Sequence, residues 1–294
     1  MITGRPLRLL AAAVVLMQLA LVAACSSGAD LPAPFDGRVQ VGFKTAMPGM
    51  AVQMTNGIFQ GFEPKLVEKV LGDAGVKYSA VPVAATTWED ALVDGNTNHN
   101  GVDLVVADVS DTAERESKFD LAGPYLKTQL GALTSAAHPA VVKRQEDLVA
   151  LRVCTVAKTT ARALVDNEVK PKVSLDGQSP QDCLAALDGG TADVFVSDYL
   201  VLRGIAVNVK VNGQPPYAIT EGKFGKVQFL VAALPKGHSA ACQWLRSRLD
   251  TYMKSQAWVD GLRSSFSFEP QVTDDNLRQD FQPMTSAADN LCAA

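Results

Sequence analysis

Histidine is scarce in this 294-residue chain, and basic residues are in the minority. His99, His138 and His238 are scattered, and none stands at zinc-ligand spacing from the five cysteines. No metal site is expected, and nothing in the chain calls for a cofactor. Lys and Arg number 27 against 31 Asp and Glu, a net charge of −4. Without a basic footprint, nucleic-acid binding is excluded. Beyond the first 25 residues no apolar run is long enough to cross a bilayer, which takes roughly 20 residues. Internal repeats are also missing, so a solenoid is not expected.

The first 25 residues carry the strongest local signal. Arg5 and Arg8 are the only charges before Cys25, and an apolar run from Leu9 to Ala24 is broken only by Gln18. The run ends in Val22-Ala23-Ala24-Cys25. A positive start, a short apolar stretch and small residues at its end describe a secretory signal. A cysteine directly after the cleavage site resembles the lipobox of bacterial lipoproteins. That resemblance implies cleavage after residue 24, acylation of Cys25, with palmitate as the expected acyl group, and a lipid-anchored protein on the extracytoplasmic face of the cell membrane. The plainer alternative is a soluble secreted protein in which Cys25 is incidental. Removing residues 1–24 takes away two arginines and no acid, leaving 25 basic and 31 acidic residues, a net charge of −6.

Four cysteines remain besides Cys25: Cys154, Cys183, Cys242 and Cys292. An even number in an oxidising compartment points to two disulfides, with three connectivities open. Sequential pairing, Cys154–Cys183 and Cys242–Cys292, keeps each bridge within one folding segment. Buried free thiols are the alternative.

Hydrophobic content of 47% and charged content of 20% are those of a globular chain. Residues 25–37 are small, polar and rich in Gly and Pro, and read as a flexible tether. Strands are predicted at Arg38–Phe43, Val76–Val83, Val102–Ala107, Leu151–Val156, Ala192–Val196 and Val227–Leu234. The run Val102–Ala107 is apolar and β-branched, as a buried parallel strand requires. Helical spacing of Phe62, Leu66, Val67, Val70 and Leu71 predicts a helix stopped by Gly72 to Gly75. Further helices are predicted at Trp88–Val93, Thr160–Asn167 and Gln181–Asp188, and a single long one at Ser239–Arg263. Gly95 to Gly101 reads as a polar loop, and the tail after Phe266 reads as irregular. Alternating strands and helices predict an α/β protein with mostly parallel sheets.

Residues 101–125, GVDLVVADVSDTAERESKFDLAGPY, resemble the solute-binding proteins, family 3, the amino-acid-binding proteins of bacterial ABC importers. Asp103, Ser110, Thr112, Glu114, Arg115, Phe119, Pro124 and Tyr125 match the family's pattern in order. Gly61-Phe62-Glu63, Val153 to Thr160, Asp193 to Asp198, Leu234 to Gly237 and Trp258 match its later landmarks. The likeness covers about residues 38–266. Val41-Gly42-Phe43-Lys44 with Pro48-Gly49 is similar to the branch that binds acidic amino acids. In that branch, actinobacterial lipoproteins commonly carry cysteines where Cys154 and Cys183 stand, which supports their pairing. The resemblance implies a two-lobed, periplasmic-binding-protein-like fold of type II with two crossovers and a ligand cleft. Lobe 1 is expected from 38–134 and 228–294, and lobe 2 from 135–227. The crossovers are expected near Leu133–Ala137 and Lys226–Gln228.

An amino acid brings a carboxylate and an ammonium, and both need fixed partners on leaving water. Arg115 offers a planar fork of donors for the carboxylate. Ser110 and the amides that start the next helix complete that pocket, and Thr159 and Thr160 face it from the second lobe. Asp198 and the Asp108 carbonyl offer acceptors to the ammonium. Lys44, at the end of the first strand, suits an acidic ligand side chain, and Trp88 suits a pocket wall. Each has a plainer alternative: Arg115 paired with Asp111 in a capping box, Asp198 as an N-cap, the two threonines as turn residues, Lys44 solvated, Trp88 as core. Three positions depart from the family pattern. Asp108 and Lys158 stand where relatives often have Gly, and Ala46 replaces a frequent Asp.

The expected function is a lipid-anchored receptor for a polar, acidic amino acid of the glutamate or aspartate type. It would act as a monomer and deliver its ligand to an ABC permease. No catalysis is expected. The alternatives are an amino-acid-sensing lipoprotein with a membrane signalling partner, and a periplasmic dehydratase on the same fold, for which Asp108 and Glu114 are the nearest acids.

Overall fold

In a computed structural model, residues 31–92, 101–284 and 291–292 are described. Cys25, the secretory signal, His99 and most of the Gly95–Gly101 loop lie outside the described residues. Among the described residues no helix is long and apolar enough to cross a membrane.

Among the described residues eleven strands form an eight-stranded mixed sheet and a three-stranded satellite sheet. One end of the large sheet holds β5 (Lys77–Val83), β1 (Arg38–Lys44) and β6 (Leu104–Ser110), all parallel. The other end holds β10 (Val194–Asp198), β8 (Arg152–Val156) and β9 (Val173–Gly177), also parallel. Between them run two long antiparallel strands, β7 (Phe119–Ser135) and β11 (Tyr217–Pro235), giving the order β5-β1-β6-β11-β7-β10-β8-β9. The satellite sheet is β2 (Ala46–Met47), β3 (Ala51–Gln53) and β4 (Phe59–Gln60). Buried strands need apolar side chains on both faces, and β6 supplies them from Leu104 through Ala107.

Nine α-helices are described: α1 (Phe62–Gly72), α2 (Trp88–Ala91), α3 (Ala113–Lys118), α4 (Thr160–Leu164), α5 (Pro180–Asp188), α6 (Tyr199–Asn208), α7 (Ser239–Lys254), α8 (Gln256–Phe266) and α9 (Asp274–Phe281). Each end of the sheet has its own core. Val83, Trp88, Val105, Phe119, Leu121 and Val231 pack in one. Leu130, Leu148, Val153, Leu164, Val194 and Phe224 pack in the other. Burying each such large side chain contributes about 1.5–3 kcal/mol. These two packed ends are the lobes of the fold.

Both disulfides close as Cys154–Cys183 and Cys242–Cys292, with Cα atoms 5.5 Å apart in each. The first ties β8 to α5 within the second lobe. The second ties α7 to the end of the chain.

Three expectations are corrected. The crossing on β7 falls at residues 127–129, not near Leu133–Ala137, because Leu130 to Leu133 already pair with β10. On β11 the register breaks between Phe224 and Gln228. The helix expected over Ser239–Arg263 is two helices, because Ser255 leaves helical geometry (φ −81°, ψ 163°) and its hydroxyl donates to the Tyr252 carbonyl at 2.6 Å. The tail is not irregular, since it contains α9. Thr273 caps that helix, its Oγ1 accepting from the Asn276 amide at 3.2 Å. Arg278 and Gln282 then donate to the Met253 carbonyl at 2.8 and 2.7 Å, and Arg278 to that of Ser255 at 2.9 Å. The helix break and the tail helix therefore explain each other: carbonyls freed at one are satisfied by the other.

Candidate functional site

The C-terminal ends of β1, β6, β8 and β10 meet at the cleft between the lobes. Lys44 closes β1, Asp108 and Ser110 close β6, and Asp198 closes β10. Trp88 starts α2, Arg115 lies in α3, and Thr159 and Thr160 cap and start α4. These eight residues, all singled out in the sequence, line one cavity of about 20 Å³ between the lobes. That space is about one water molecule's worth, so the cleft is closed. A larger open groove of about 1150 Å³ lies beside β2–β4, lined by residues such as Pro48, Met54 and Ile58, and contains none of the eight.

Arg115 is 9% exposed. Its Nη1 donates to the Ser110 carbonyl at 2.8 Å, and Nη2 reaches the Lys158 carbonyl of the other lobe at 3.5 Å. Its guanidinium carbon lies 5.3 Å from the centre of the Trp88 ring, a cation–π arrangement. Its Nε stands 3.9 Å from Glu89. No ion pair to Asp111 forms. The cap of α3 is Thr112, whose Oγ1 accepts from the Arg115 amide at 3.3 Å, so the Asp111–Glu114 capping box is replaced by a cap one residue later. Glu114 points outward, 74% exposed and paired with Lys118 at 2.7 Å.

Asp198 sits at the N-cap of α6, yet its side chain makes no cap hydrogen bond. It is 6% exposed, and its Oδ1 has no partner. Asp108 Oδ1 is likewise buried without a partner. Asp108 and Lys158 both adopt positive φ, +50° and +58°, which fits positions where a glycine is accommodated without strain. Lys44 is 6% exposed, and its Nζ donates to the Asp108 carbonyl at 3.3 Å.

The threonines differ. Thr159 caps α4, accepting from the Arg162 amide at 3.1 Å and donating to the Val156 carbonyl at 2.7 Å. Thr160 Oγ1 donates across the lobes to Gln228 Oε1 at 2.6 Å. Ser110 Oγ donates to the same oxygen at 2.8 Å. Gln228 thus joins a hydroxyl from each lobe, a role the sequence reading missed, naming it only as part of a crossover. Glu63 was also missed as a site residue, although Gly61-Phe62-Glu63 stood out as a motif. It is 1% exposed, and its Oε1 accepts from the Asp108 amide at 2.6 Å and from the Tyr125 hydroxyl at 2.7 Å.

Charge in this dry space is costly, and the acids show it. Burial, then the neighbouring Asp108, raises the Glu63 carboxyl to about 8. Burial, then Asp108, holds Asp198 well above the usual carboxylate range. Burial raises Asp108 too, opposed by Lys44 and Arg115. The same burial lowers Lys44, opposed by Asp108 and Glu63, and lowers Arg115, opposed by Glu89. Among the described residues no group of three His, Cys, Asp or Glu side chains is arranged to hold a metal ion. The site presents two cations and two acids from both lobes. It can desolvate a small charged molecule.

Comparison with known proteins agrees with this architecture. The family model described as bacterial extracellular solute-binding proteins, family 3, matches residues 39–260. The L-cystine-binding protein TcyJ of Escherichia coli (strain K12) is 27% identical over 112 residues, which is 38% of this chain and 40% of that protein's length. A solved solute receptor for L-cysteine from Neisseria gonorrhoeae superposes with a TM-score of 0.68 at 21% identity, over 80% of this chain and 94% of that one. The arginine-bound substrate-binding protein AbpA of Streptococcus pneumoniae superposes with a TM-score of 0.67 at 16% identity, over 79% and 95%. Two lobes on a shared mixed sheet, a closed cleft at the strand ends, and a family match over most of the sequence lead to one conclusion: the chain belongs to the bacterial extracellular solute-binding proteins, family 3.

Proposed function

We propose that this protein is a receptor for a zwitterionic amino acid. The observation that carries the reading is that Arg115 and Asp198, from opposite lobes, line one closed cavity. A guanidinium fork matches an α-carboxylate, and a buried carboxylate with an unpartnered oxygen matches an α-ammonium. The closing bodies are the lobe built on β5, β1 and β6 and the lobe built on β10, β8 and β9. Closure about the β7–β11 pair follows from the ligand's higher affinity for the closed form. The relatives' names support an amino acid as the class. Lys44 supports a ligand with an acidic side chain, since its ammonium lies in the same cavity. Delivery to an ABC permease and anchoring through an acylated Cys25 on the extracytoplasmic face complete the reading. They rest on the family membership and on the sequence before Cys25.

A thermal-shift screen of the full chain against the twenty amino acids tests it. A true ligand at 100 times its dissociation constant adds about 2.7 kcal/mol to stability. No shift with any amino acid would refute the reading. Mass spectrometry of the N-terminal peptide tests the anchor: an unacylated Cys25 removes it.

A further inference from the structure

Helix α6 starts beside Asp198 at the end of β10, yet its far half docks on the first lobe. The last carbonyls of α8 have no partners within their own helix, and side chains of α6 reach them. Asn208 Nδ2 donates to the Ser265 carbonyl at 3.2 Å. Arg203 Nε donates to the Phe266 carbonyl and its Nη2 to the Ser267 carbonyl, each at 3.1 Å. The same Nη2 donates to Glu269 Oε2 at 3.1 Å, and the guanidinium carbon lies 4.2 Å from the centre of the Phe268 ring. Arg203 is buried, and a cation at a helix C-terminus is favoured by the helix dipole. At the start of α6, Tyr199 stacks on Phe281 of α9, with ring centres 6.3 Å and planes 16° apart. Lys223 Nζ of β11 lies 4.2 Å from the centre of the same tyrosine ring.

The C-terminal segment that receives α6 is itself fixed to the first lobe. Arg263 of α8 pairs with Asp274 of α9 at 2.8 Å, Arg278 donates to carbonyls at the end of α7, and Cys242–Cys292 ties the chain end to α7. Residues Ser265 to Glu269 and Phe281 all lie beyond residue 260, where the family match ends. Asp198 is the residue before Tyr199, and its side chain makes no cap hydrogen bond. Its place in the cleft therefore follows the placement of α6. Resting on the amino-acid reading above, we propose that Arg203 and Phe281 are positioning residues for Asp198: by docking α6 on the C-terminal segment, they set the carboxylate that receives the ligand ammonium opposite Arg115. Neither residue lines the cavity. A desolvated ion pair repays its cost only in close geometry, so a shift of α6 carries Asp198 away from the ammonium and loses the pair.

Calorimetric titration of the full chain tests this, with L-cystine, L-arginine and L-glutamate as probes. Arg203→Ala should weaken the tightest of the three at least tenfold. Arg203→Lys keeps the charge but not the fork, and should recover part of that loss. Phe281→Leu keeps an apolar side chain in place and removes only the stack, so it reads the same docking should Arg203→Ala fail to fold; it should weaken binding about threefold. A cycle with Asp198→Asn separates positioning from a general loss of stability. Acting through Asp198, Arg203→Ala should cost less than about threefold in the Asp198→Asn background, and Phe281→Leu should cost almost nothing there. The proposal is overturned if the variants at 203 and 281 leave affinity within twofold of wild type, whatever they do to the melting temperature. Equal losses from these variants in both backgrounds overturn it as well. If wild type binds none of the three probes, nor any other amino acid, the amino-acid reading falls and takes this positioning role with it.

Discussion

Gly204 of α6 and the carbonyl of Pro48 lie against each other with no side chain between them, and a Cβ on Gly204 would overlap that oxygen. Helix α6 starts at the residue after Asp198, and Pro48 follows β2 on the first lobe. Gly204→Ala should therefore hold the lobes apart. We expect a loss of ligand affinity of at least tenfold, a larger radius in solution scattering, and a stability cost of about 1–3 kcal/mol from overpacking. Unchanged scattering and affinity would show that this contact does not depend on closure.

Arg115→Ala should abolish amino-acid binding, by more than a hundredfold, with a small change in melting temperature. The guanidinium sits at the cleft, on the Trp88 ring, rather than within either core. Arg115→Lys keeps the charge but loses the fork, and should recover only part of the affinity. Calorimetry reads both variants, and full affinity in the alanine variant would remove Arg115 from the site.

Lys44→Met should weaken ligands with a second carboxylate more than neutral ones. It also removes a buried cation whose pKa is lowered, by burial first, so the variant should gain stability at low pH, and gain less as pH rises. Equal affinity losses across all ligands would remove the side-chain role given to Lys44.

Stability should fall as pH rises from about 4.5 to 8. Glu63 has a folded-state pKa of about 8 against an ordinary 4.5. Across that window the folded protein holds a proton that the unfolded chain has released, so raising pH favours unfolding. Asp108 and Asp198 are raised by burial and act in the same direction. Denaturant unfolding at a series of pH values reads the slope. Glu63→Gln should flatten it.

The bridges Cys154–Cys183 and Cys242–Cys292 span 29 and 50 residues. In the chain-entropy model each contributes about 4 kcal/mol. Replacing the first pair with alanines should destabilise the second lobe. Replacing the second should release the chain end and with it the support of α7. Unfolding of each double variant under denaturant measures this, and a loss well below 1 kcal/mol would contradict the model.

Much of the fold is legible in the sequence, because its signals are local. The apolar run at Val102 reads as a buried strand, and the spacing of Phe62, Leu66 and Val70 reads as a helix. The break at Ser255 is not legible in the same way. It depends on Arg278 and Gln282 arriving from well down the chain to satisfy carbonyls of α7. The full length of β7 and β11 is hidden for a similar reason, since their second-lobe halves are strands by virtue of pairing with each other and with β10. At the site, the ordered family pattern pointed to Ser110, Arg115, Thr159, Thr160 and Asp198, and the end of the first strand to Lys44, all of which line the cavity. Glu63 and Gln228 escaped notice because their roles are relations to Asp108, Ser110 and Thr160 across the fold, which no spacing along the chain records.

The shared oxygen of Gln228 bears on where affinity arises. Ser110 and Thr160 already have an acceptor in that amide, so an incoming carboxylate that draws on their hydroxyls substitutes one acceptor for another. The number of hydrogen bonds is conserved, and the enthalpic gain from those two groups is small. Selectivity must then rest on ionic groups that Gln228 cannot mimic. A neutral polar molecule of the right shape would trade bonds evenly and leave the protein indifferent to it.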